Sequence, residues 1–365
     1  MDEQQKHNFM RYALRLARRG AGRVSPNPMV GALVVKDGRI IGRGYHRQFG
    51  GPHAEVFALE EAGKAAKGAT LFVTLEPCCH YGKTSPCTDK IIAAGIKKVI
   101  VAMQDPNPEV NGKGLRILQQ HGIEVESGIL EARAQELNVA FVKFMRQRLP
   151  LVTLKIAQTL DGHIADAGNH SKWITGERAR RRVHRWRSEA GAVLVGIGTV
   201  LADDPQLTVR LVRGPQPWRV VLDTHLRIPL QAKLMTDEWV KKTIIFSSTA
   251  ADEAKIADIQ KRGARVIRLE TQEQGELPLR AVLEKLAEWQ ITHVLVEGGS
   301  RIFSAFLQED LADRLAVFIA PKLFGNGLPA MELTGYSADR PLTLNHVRWR
   351  RVGEDVLLTA DLPQE

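Results

Sequence analysis

All three cysteines of this chain fall between positions 78 and 87, downstream of His53-Ala54-Glu55. Few features constrain a fold so tightly, because an imidazole and distant thiols meet at one cation only if the chain doubles back. Imidazole and thiolate donors suit zinc, and three protein ligands leave a fourth tetrahedral position for water. Zinc brings the pKa of that water to roughly 7. Glu55, two positions after the histidine, is then the natural proton carrier from water to a departing amine. His53, Cys78 and Cys87 are candidate metal ligands and Glu55 the candidate catalytic carboxylate. Cys79 is left over, since adjacent side chains rarely both reach one ion.

The pattern resembles the H-x-E, P-C-x-x-C signature of zinc nucleobase deaminases, with one departure. Here the second thiol, Cys87, lies nine positions beyond Cys78, where the signature has three. Three small buried hydrophobes are the plain alternative. A disulfide framework fits poorly with an odd cysteine count. A purely structural zinc would normally claim four protein ligands, and the obvious count is three.

The chain has 365 residues, enough for two domains. Apolar content of 44% and charged content of 25% describe a soluble globular protein, and no apolar run has the length of a membrane span. The polar start Met1-Asp2-Glu3-Gln4 does not read as a signal peptide. With thiolate ligands, that points to the cytoplasm. The net charge of +10 is uneven: residues 1–149 hold 22 Lys and Arg against 14 Asp and Glu. A basic first half would attract an anionic substrate, either a phosphorylated small molecule or a nucleic acid. Few aromatics, 6% of the chain, and no long Lys/Arg tract weigh against an editing deaminase that tracks nucleic acid.

Helical spacing of Phe9, Met10, Ala13, Leu14 and Ala17 ends at the turn-rich Ser25-Pro26-Asn27-Pro28. Met29–Val35 and Arg39–Tyr45 read as strands about Asp37-Gly38, a hairpin signal. Ala54–Ala62 reads as a helix with His53 and Glu55 at its N-terminal end, where the helix dipole is positive. Strand 69–74, a helical run from Cys87 to Ala94, strand Lys98–Ala102, helix Gly114–Gln120, strand Ile123–Glu126 and one amphipathic helix Leu130–Phe144 follow. Leu149-Pro150 is the expected domain boundary, giving domains 1–149 and 150–365. A second α/β series then opens with strand Leu151–Ala157. It continues through strands Ala192–Val195, Arg219–Leu222, Thr243–Phe246, Arg265–Leu269, His293–Val296 and Arg314–Ile319. Helices Leu279–Trp289 and Ser300–Gln308 lie among them.

In this second half, Val296-Glu297-Gly298-Gly299-Ser300 joins a strand to a helix through two glycines, where backbone amides can hold a phosphate. Gly196-Ile197-Gly198 does not make a dinucleotide fingerprint, because Leu201 stands where a third glycine belongs. Six arginines crowd between Arg178 and Arg187. They form either a solvated helical face or a grip on phosphate.

Together these stretches resemble the bifunctional riboflavin-biosynthesis deaminase/reductase family over nearly the whole length. The deaminase side rests on Ser25-Pro26-Asn27-Pro28-Met29-Val30-Gly31, His53-Ala54-Glu55, and Thr74-Leu75-Glu76-Pro77-Cys78 through Cys87. The eight-residue interval between the cysteines is that family's form of the zinc loop. On the reductase side stand Leu160-Asp161-Gly162, Ser171-Lys172-Trp173-Ile174-Thr175, Leu201-Ala202-Asp203-Asp204-Pro205, Leu207-Thr208-Val209-Arg210 and Val296-Glu297-Gly298-Gly299.

The resemblance implies a cytidine-deaminase-like three-layer α/β/α domain followed by a dihydrofolate-reductase-like α/β domain. It implies one Zn2+ and NADPH as cofactors. The substrates would be phosphorylated small-molecule pyrimidines: a 2,5-diamino-6-(5-phosphoribosylamino)pyrimidin-4-one to deaminate, then a ribosyl group to reduce to ribityl. A homo-oligomer is expected, with no nucleic acid or membrane partner. Asn27, His80, Lys83 and Thr84 would contact the deaminase substrate. Ala157, Trp173, Thr199, Asp203, Thr224 and the helix start Gly299, Ser300, Arg301, Ile302, Phe303, Ser304 and Ala305 would hold NADPH. Ser171, Arg187, Leu207, Arg210 and Glu297 would hold the reductase substrate, and Lys155 is the candidate proton donor. Three positions depart from the usual pattern: Ser85 before Pro86, His163 after Asp161-Gly162, and Cys79 in place of a smaller residue.

Overall fold

The computed structural model describes residues 1–80, 85–273 and 275–363. The chain divides into two compact units, Met1–Arg148 and Leu149–Glu365, one position before the Leu149-Pro150 boundary.

The first unit is built on a five-stranded sheet of β1 (Gly31–Lys36), β2 (Arg39–Tyr45), β3 (Thr70–Val73), β4 (Lys98–Val101) and β5 (Glu124–Ser127), in the order β2-β1-β3-β4-β5. β1 runs antiparallel to β2 and β3, and β3, β4 and β5 run parallel. Asp37 and Gly38, both at positive φ, close the hairpin. Two glycines explain the layering. Gly31 pairs with Tyr45 and Ala32 with Gly44, so Gly31 and Gly44 face opposite sides of the sheet. A Cβ on Gly31 would lie 2.1 Å from Ala13 O of the helix Glu3–Ala17. A Cβ on Gly44 would lie 2.1 Å from Ala54 O of the helix Ala54–Ala62. Each missing side chain lets one helix settle onto its own face, giving three layers.

One expectation fails here. Residues 130–144 form two helices, Glu131–Leu137 and Val139–Gln147, broken at Asn138. Asn138 is buried; its Oδ1 accepts from Met29 N–H at 2.8 Å and its Nδ2 donates to Met29 O at 3.0 Å. Asn138 sits at ψ 22°, outside the helical range, with its side chain paired to a distant backbone that helical periodicity does not reveal.

The second unit contains β6 (Leu151–Thr159), β7 (His163–Asp166), β8 (Ala192–Gly196), β9 (Trp218–Leu222), β10 (Thr243–Ser248), β11 (Arg265–Leu269), β12 (His293–Gly298), β13 (Arg314–Ala320), β14 (Gly327–Pro329), β15 (Asn345–Val352) and β16 (Asp355–Asp361). Its main sheet has the order β11-β10-β9-β8-β12-β6-β13-β16-β15, while β14 pairs with β7. From β11 to β13 every pair is parallel; β13–β16 and β15–β16 are antiparallel. Side chains alternate between two cores. Leu194, Val220, Ile244 and Phe246 join one with the helices Leu279–Glu288 and Ser300–Gln308; Val193, Val195, Val221 and Ile245 join the other with Glu253–Lys261. A parallel sheet covered on both faces gives the continuous apolar strands seen in the sequence. β7, β14 and the hairpin β15–β16 lie outside the sequence expectation. β15 is almost wholly exposed, so it carries little apolar alternation to read.

Candidate active sites

The backbone that orders the first unit also assembles its donors. His53 is the N-cap of the helix Ala54–Ala62, and Cys87 opens the helix Cys87–Ala93. His53 Nδ1 lies 3.3 Å from Cys87 Sγ and 3.5 Å from Cys78 Sγ. All three ligand atoms fall within 4.8 Å of one another, and Cys87 N–H donates to Cys78 Sγ at 3.3 Å. The long interval from Cys78 to Cys87 thus returns to the same point. Cys79 stands outside this cluster.

Groups this close compete for protons. A hydrogen bond from Cys87, together with His53, holds the Cys78 thiol down to about 4. The Cys78 thiol pushes the His53 imidazole up to about 8, and Cys87 rises well above its ordinary value because Cys78 already holds the negative charge. Such a set loses its protons to a divalent cation. Beside it Glu55 is buried, and its Oε2 has no hydrogen-bond partner. Burial pushes its carboxyl upward. An orphaned carboxylate oxygen next to one nitrogen and two sulfur donors is what a catalytic zinc site with an open position requires, so these residues fit the metal.

Asn27 Nδ2 lies 3.2 Å from His46 Nε2, and His46 Nδ1 lies 3.0 Å from Pro52 O. The His46 and His53 rings meet edge to face at 5.4 Å. The sequence reading missed His46, whose one available signal is its place just after β2. It also missed Glu76, which accepts backbone N–H groups from Asp105, Gly112 and Gly114 and so ties that loop to the cysteine segment. Burial pushes Asp105 up to about 6. His80 is exposed. Lys83 and Thr84 lie outside the described residues.

In the second unit a cleft of about 1630 Å³ opens where β8, β9 and β12 end, the usual place for ligands on a parallel sheet. Thr199, Thr224 and Gly299 follow those three strand ends and line it. A Cβ on Gly298 would lie 3.1 Å from Thr199 Oγ1, so glycine keeps the crossing of these two segments open. Ser300, Arg301, Ile302, Phe303 and Ala305 also line the cleft. Ser304 does not belong with them: its hydroxyl donates to Ser300 O at 3.0 Å and accepts from Glu332 N–H at 2.9 Å. Trp173 is 63% exposed and carries Arg180 Cζ 4.5 Å from its ring centroid. Ser171 Oγ donates to Asp203 Oδ1 at 2.7 Å, and Ala157 lies nearby in the lining. A flat aromatic surface, an open glycine crossing and a helix start together fit a dinucleotide.

In the same cleft, Arg187 grips Glu297 with two bonds, Nε to Oε1 at 2.5 Å and Nη2 to Oε2 at 2.8 Å, and donates from Nη1 to Thr208 O at 3.0 Å. Burial alone would push Glu297 up, but Arg187, aided by Lys155, brings it below its ordinary value. Burial lowers Lys155. Leu207 and Arg210 also line this cleft. The arginine-rich helix Glu177–Glu189 is therefore divided in its uses: Arg187 faces Glu297, Arg180 covers Trp173, and Arg181 pairs with Glu177.

The two units define a class: a zinc-type deaminase domain joined to a nucleotide-cofactor reductase domain. Residues 3–103 match the cytidine and deoxycytidylate deaminase zinc-binding region, and residues 150–358 the RibD C-terminal domain. The chain is 47% identical over 352 residues to the riboflavin biosynthesis protein RibD of Aquifex aeolicus, covering 96% of this chain and 97% of that one. It is 41% identical to the RibD of Escherichia coli, covering 97% and 98%. Among solved structures, Acinetobacter baumannii RibD aligns over 100% of both chains at 40% identity and a TM-score of 0.91. A diaminohydroxyphosphoribosylaminopyrimidine deaminase/5-amino-6-(5-phosphoribosylamino)uracil reductase from Thermotoga maritima aligns over 99% of both chains, at 41% identity and a TM-score of 0.87. The chain belongs to the RibD family, with a cytidine-deaminase-like first domain and a dihydrofolate-reductase-like second domain.

Proposed function

We propose that Met1–Arg148 hydrolytically deaminates 2,5-diamino-6-(5-phosphoribosylamino)pyrimidin-4-one and that Leu149–Glu365 reduces the ribosyl group of the product to ribityl. The chain is a bifunctional deaminase and reductase of riboflavin biosynthesis, with zinc in the first domain and NADPH in the second. The observation that carries the division of labour is the pairing of a His/Cys/Cys donor set with an unpartnered carboxylate oxygen.

In the first reaction His53, Cys78 and Cys87 would hold zinc, which would supply Lewis acidity toward water. Glu55 would take the proton that water gives up as its oxygen bonds to the ring carbon, and return it to the amine nitrogen as the C–N bond breaks, so ammonia leaves neutral. The buried Glu55 carboxyl, with one oxygen unpartnered, is placed to hold that proton between the two transfers. Asn27 and His80 orient the pyrimidine.

In the second reaction bound NADPH would supply hydride. Turning ribosylamino into ribitylamino adds hydrogen at C1′, breaks the C1′–O4′ bond and leaves a hydroxyl on C4′, so a proton must reach O4′. Lys155, which lines the cleft with its charge destabilised by burial, donates it. Glu297 and Arg187 hold the acceptor end, and the glycine crossing with Trp173 holds the cofactor end; alignment of the two is the protein's main task.

The reading extends to a cytoplasmic homo-oligomer acting on small phosphorylated pyrimidines. Among the described residues no helix is long and apolar enough to cross a membrane. A coupled assay tests the proposal. Ammonia release and loss of nicotinamide absorbance should both follow from the free phosphoribosylaminopyrimidine. A chelator should stop the first while leaving reduction of supplied deaminated substrate intact. Ammonia release from RNA alone would overturn it.

A further inference from the structure

Thr208–Arg210 belongs to no helix or strand, yet side chains hold its backbone as a sheet would. Gln216 clamps Val209 from both sides: its Oε1 accepts the Val209 N–H at 2.7 Å and its Nε2 donates to Val209 O at 2.9 Å. Arg187 Nη1 donates to Thr208 O at 3.0 Å. His184 Nδ1 accepts the Arg210 N–H at 3.0 Å. Four backbone groups of a three-residue segment are thus satisfied by side chains from the helix Glu177–Glu189 and from the stretch leading into β9.

The segment ends in a cation facing the cleft. Thr208 and Val209 are buried, while the Arg210 side chain lines the cleft and donates from Nη1 to Thr208 Oγ1 at 2.9 Å. The charge of Arg187 is already committed to Glu297. Arg210, on the wall of the same cleft, is placed to meet an incoming anion, and a guanidinium matches phosphate oxygens two at a time. Such a match depends on where the backbone puts the side chain, because small misplacements are costly.

We propose that His184 and Gln216 are positioning residues of the reductase, holding Thr208–Arg210 so that Arg210 receives the substrate's phosphate. The inference rests on the reductase reading above. The acceptor role asks His184 to keep a lone pair on Nδ1. Burial, with the nearby charges of Arg187 and Arg210, holds this imidazole down to about 4, so the ring is neutral at pH 7. His184 also lines the cleft, and with Nδ1 accepting, the proton of the neutral ring is carried by Nε2.

The test measures reduction of 5-amino-6-(5-phosphoribosylamino)uracil and of its dephosphorylated counterpart by the full-length zinc-loaded protein and its H184L, H184N and Q216L variants. H184L, which loses one of these hydrogen bonds, and Q216L, which loses two, should each raise KM for the phosphorylated substrate about tenfold or more, with kcat and the KM for NADPH within about twofold. The dephosphorylated substrate should be nearly indifferent to both changes. H184N should recover most of the loss, since its Oδ1 can accept where Nδ1 did. Equal losses toward both substrates, a loss confined to kcat, or no recovery in H184N would overturn the proposal. A parent protein that reduces neither substrate removes the reductase reading and this inference with it. A parent that reduces normally, with H184L unchanged, removes the inference alone.

Discussion

Glu55 and Glu297 are both hidden from solvent, and their surroundings treat them in opposite ways. Glu55 has an oxygen with no partner, and burial pushes its carboxyl up. Glu297 is largely covered at the wall of the cleft, where burial would also push it up, but the two bonds from Arg187 bring it below the ordinary range. Burial is common to both, so the partner decides the charge. A carboxyl that is poorly stabilised as an anion can hold a proton for part of a reaction. One locked to a guanidinium cannot, and serves to fix direction. On the roles proposed above, the first centre would handle proton traffic and the second would fix geometry.

The same substitution should therefore do opposite things at the two sites. Glu55→Gln should reduce ammonia release about 10³–10⁴-fold, as expected when a proton carrier is lost. Zinc content and NADPH-dependent reduction of the deaminated substrate should be unchanged. Unfolding should be no easier than in the parent, because the amide removes a costly buried charge. Glu297→Gln should instead leave Arg187 buried without its counter-charge. Denaturant unfolding of the second unit should then show a loss of about 3 kcal/mol or more. Comparable destabilisation by both changes would break the contrast.

Lys155 sharpens it from the cation side. Burial makes its ammonium easier to deprotonate than a free lysine. If the ammonium is the proton donor, the active form exists below its pKa and is lost as pH rises through it. The pH profile of reductase kcat should therefore fall on its alkaline limb below the ordinary lysine value of about 10.4. Lys155→Met should lower kcat about 10²-fold and abolish that limb. An unchanged limb in Lys155→Met would assign the proton to another group.

What could be read from the chain follows the same division. The deaminase donors were legible because His53-Ala54-Glu55 and Pro77-Cys78 are short contiguous motifs whose residue types already carry the chemistry. The central parallel strands were legible because both faces are buried and the apolar runs are continuous. The proposed reductase centre draws on Lys155, Arg187, Arg210 and Glu297 from distant segments, and no local pattern says that Arg187 faces Glu297 while Arg180 covers Trp173. The family resemblance supplied those positions. Ser304 shows the limit of carrying over a whole helix start, since its inward hydroxyl serves the Glu332 backbone. His46 and Glu76 were missed because their partners, Asn27 and the loop around Asp105–Gly114, come together only in three dimensions.

Asn138 supplies a third kind of buried polar group, held neither by an ion nor left open, but by the backbone of Met29 through two hydrogen bonds. Both partners are neutral, so no charge is stranded when the side chain is removed. Asn138→Ala should cost about 1–3 kcal/mol, the penalty for two buried backbone groups left unpaired, at or below the loss expected for Glu297→Gln. Because Met29 follows the Asn27-containing turn, the KM of the deaminase should rise modestly while reduction is unaffected. Thermal unfolding and the two separate assays measure this directly. A continuous helix across residues 130–147 in the variant, seen as added helical signal by circular dichroism, would show that the Met29 pairing breaks the helix. Unchanged helical signal with the same destabilisation would place the cause of the break in the flanking residues.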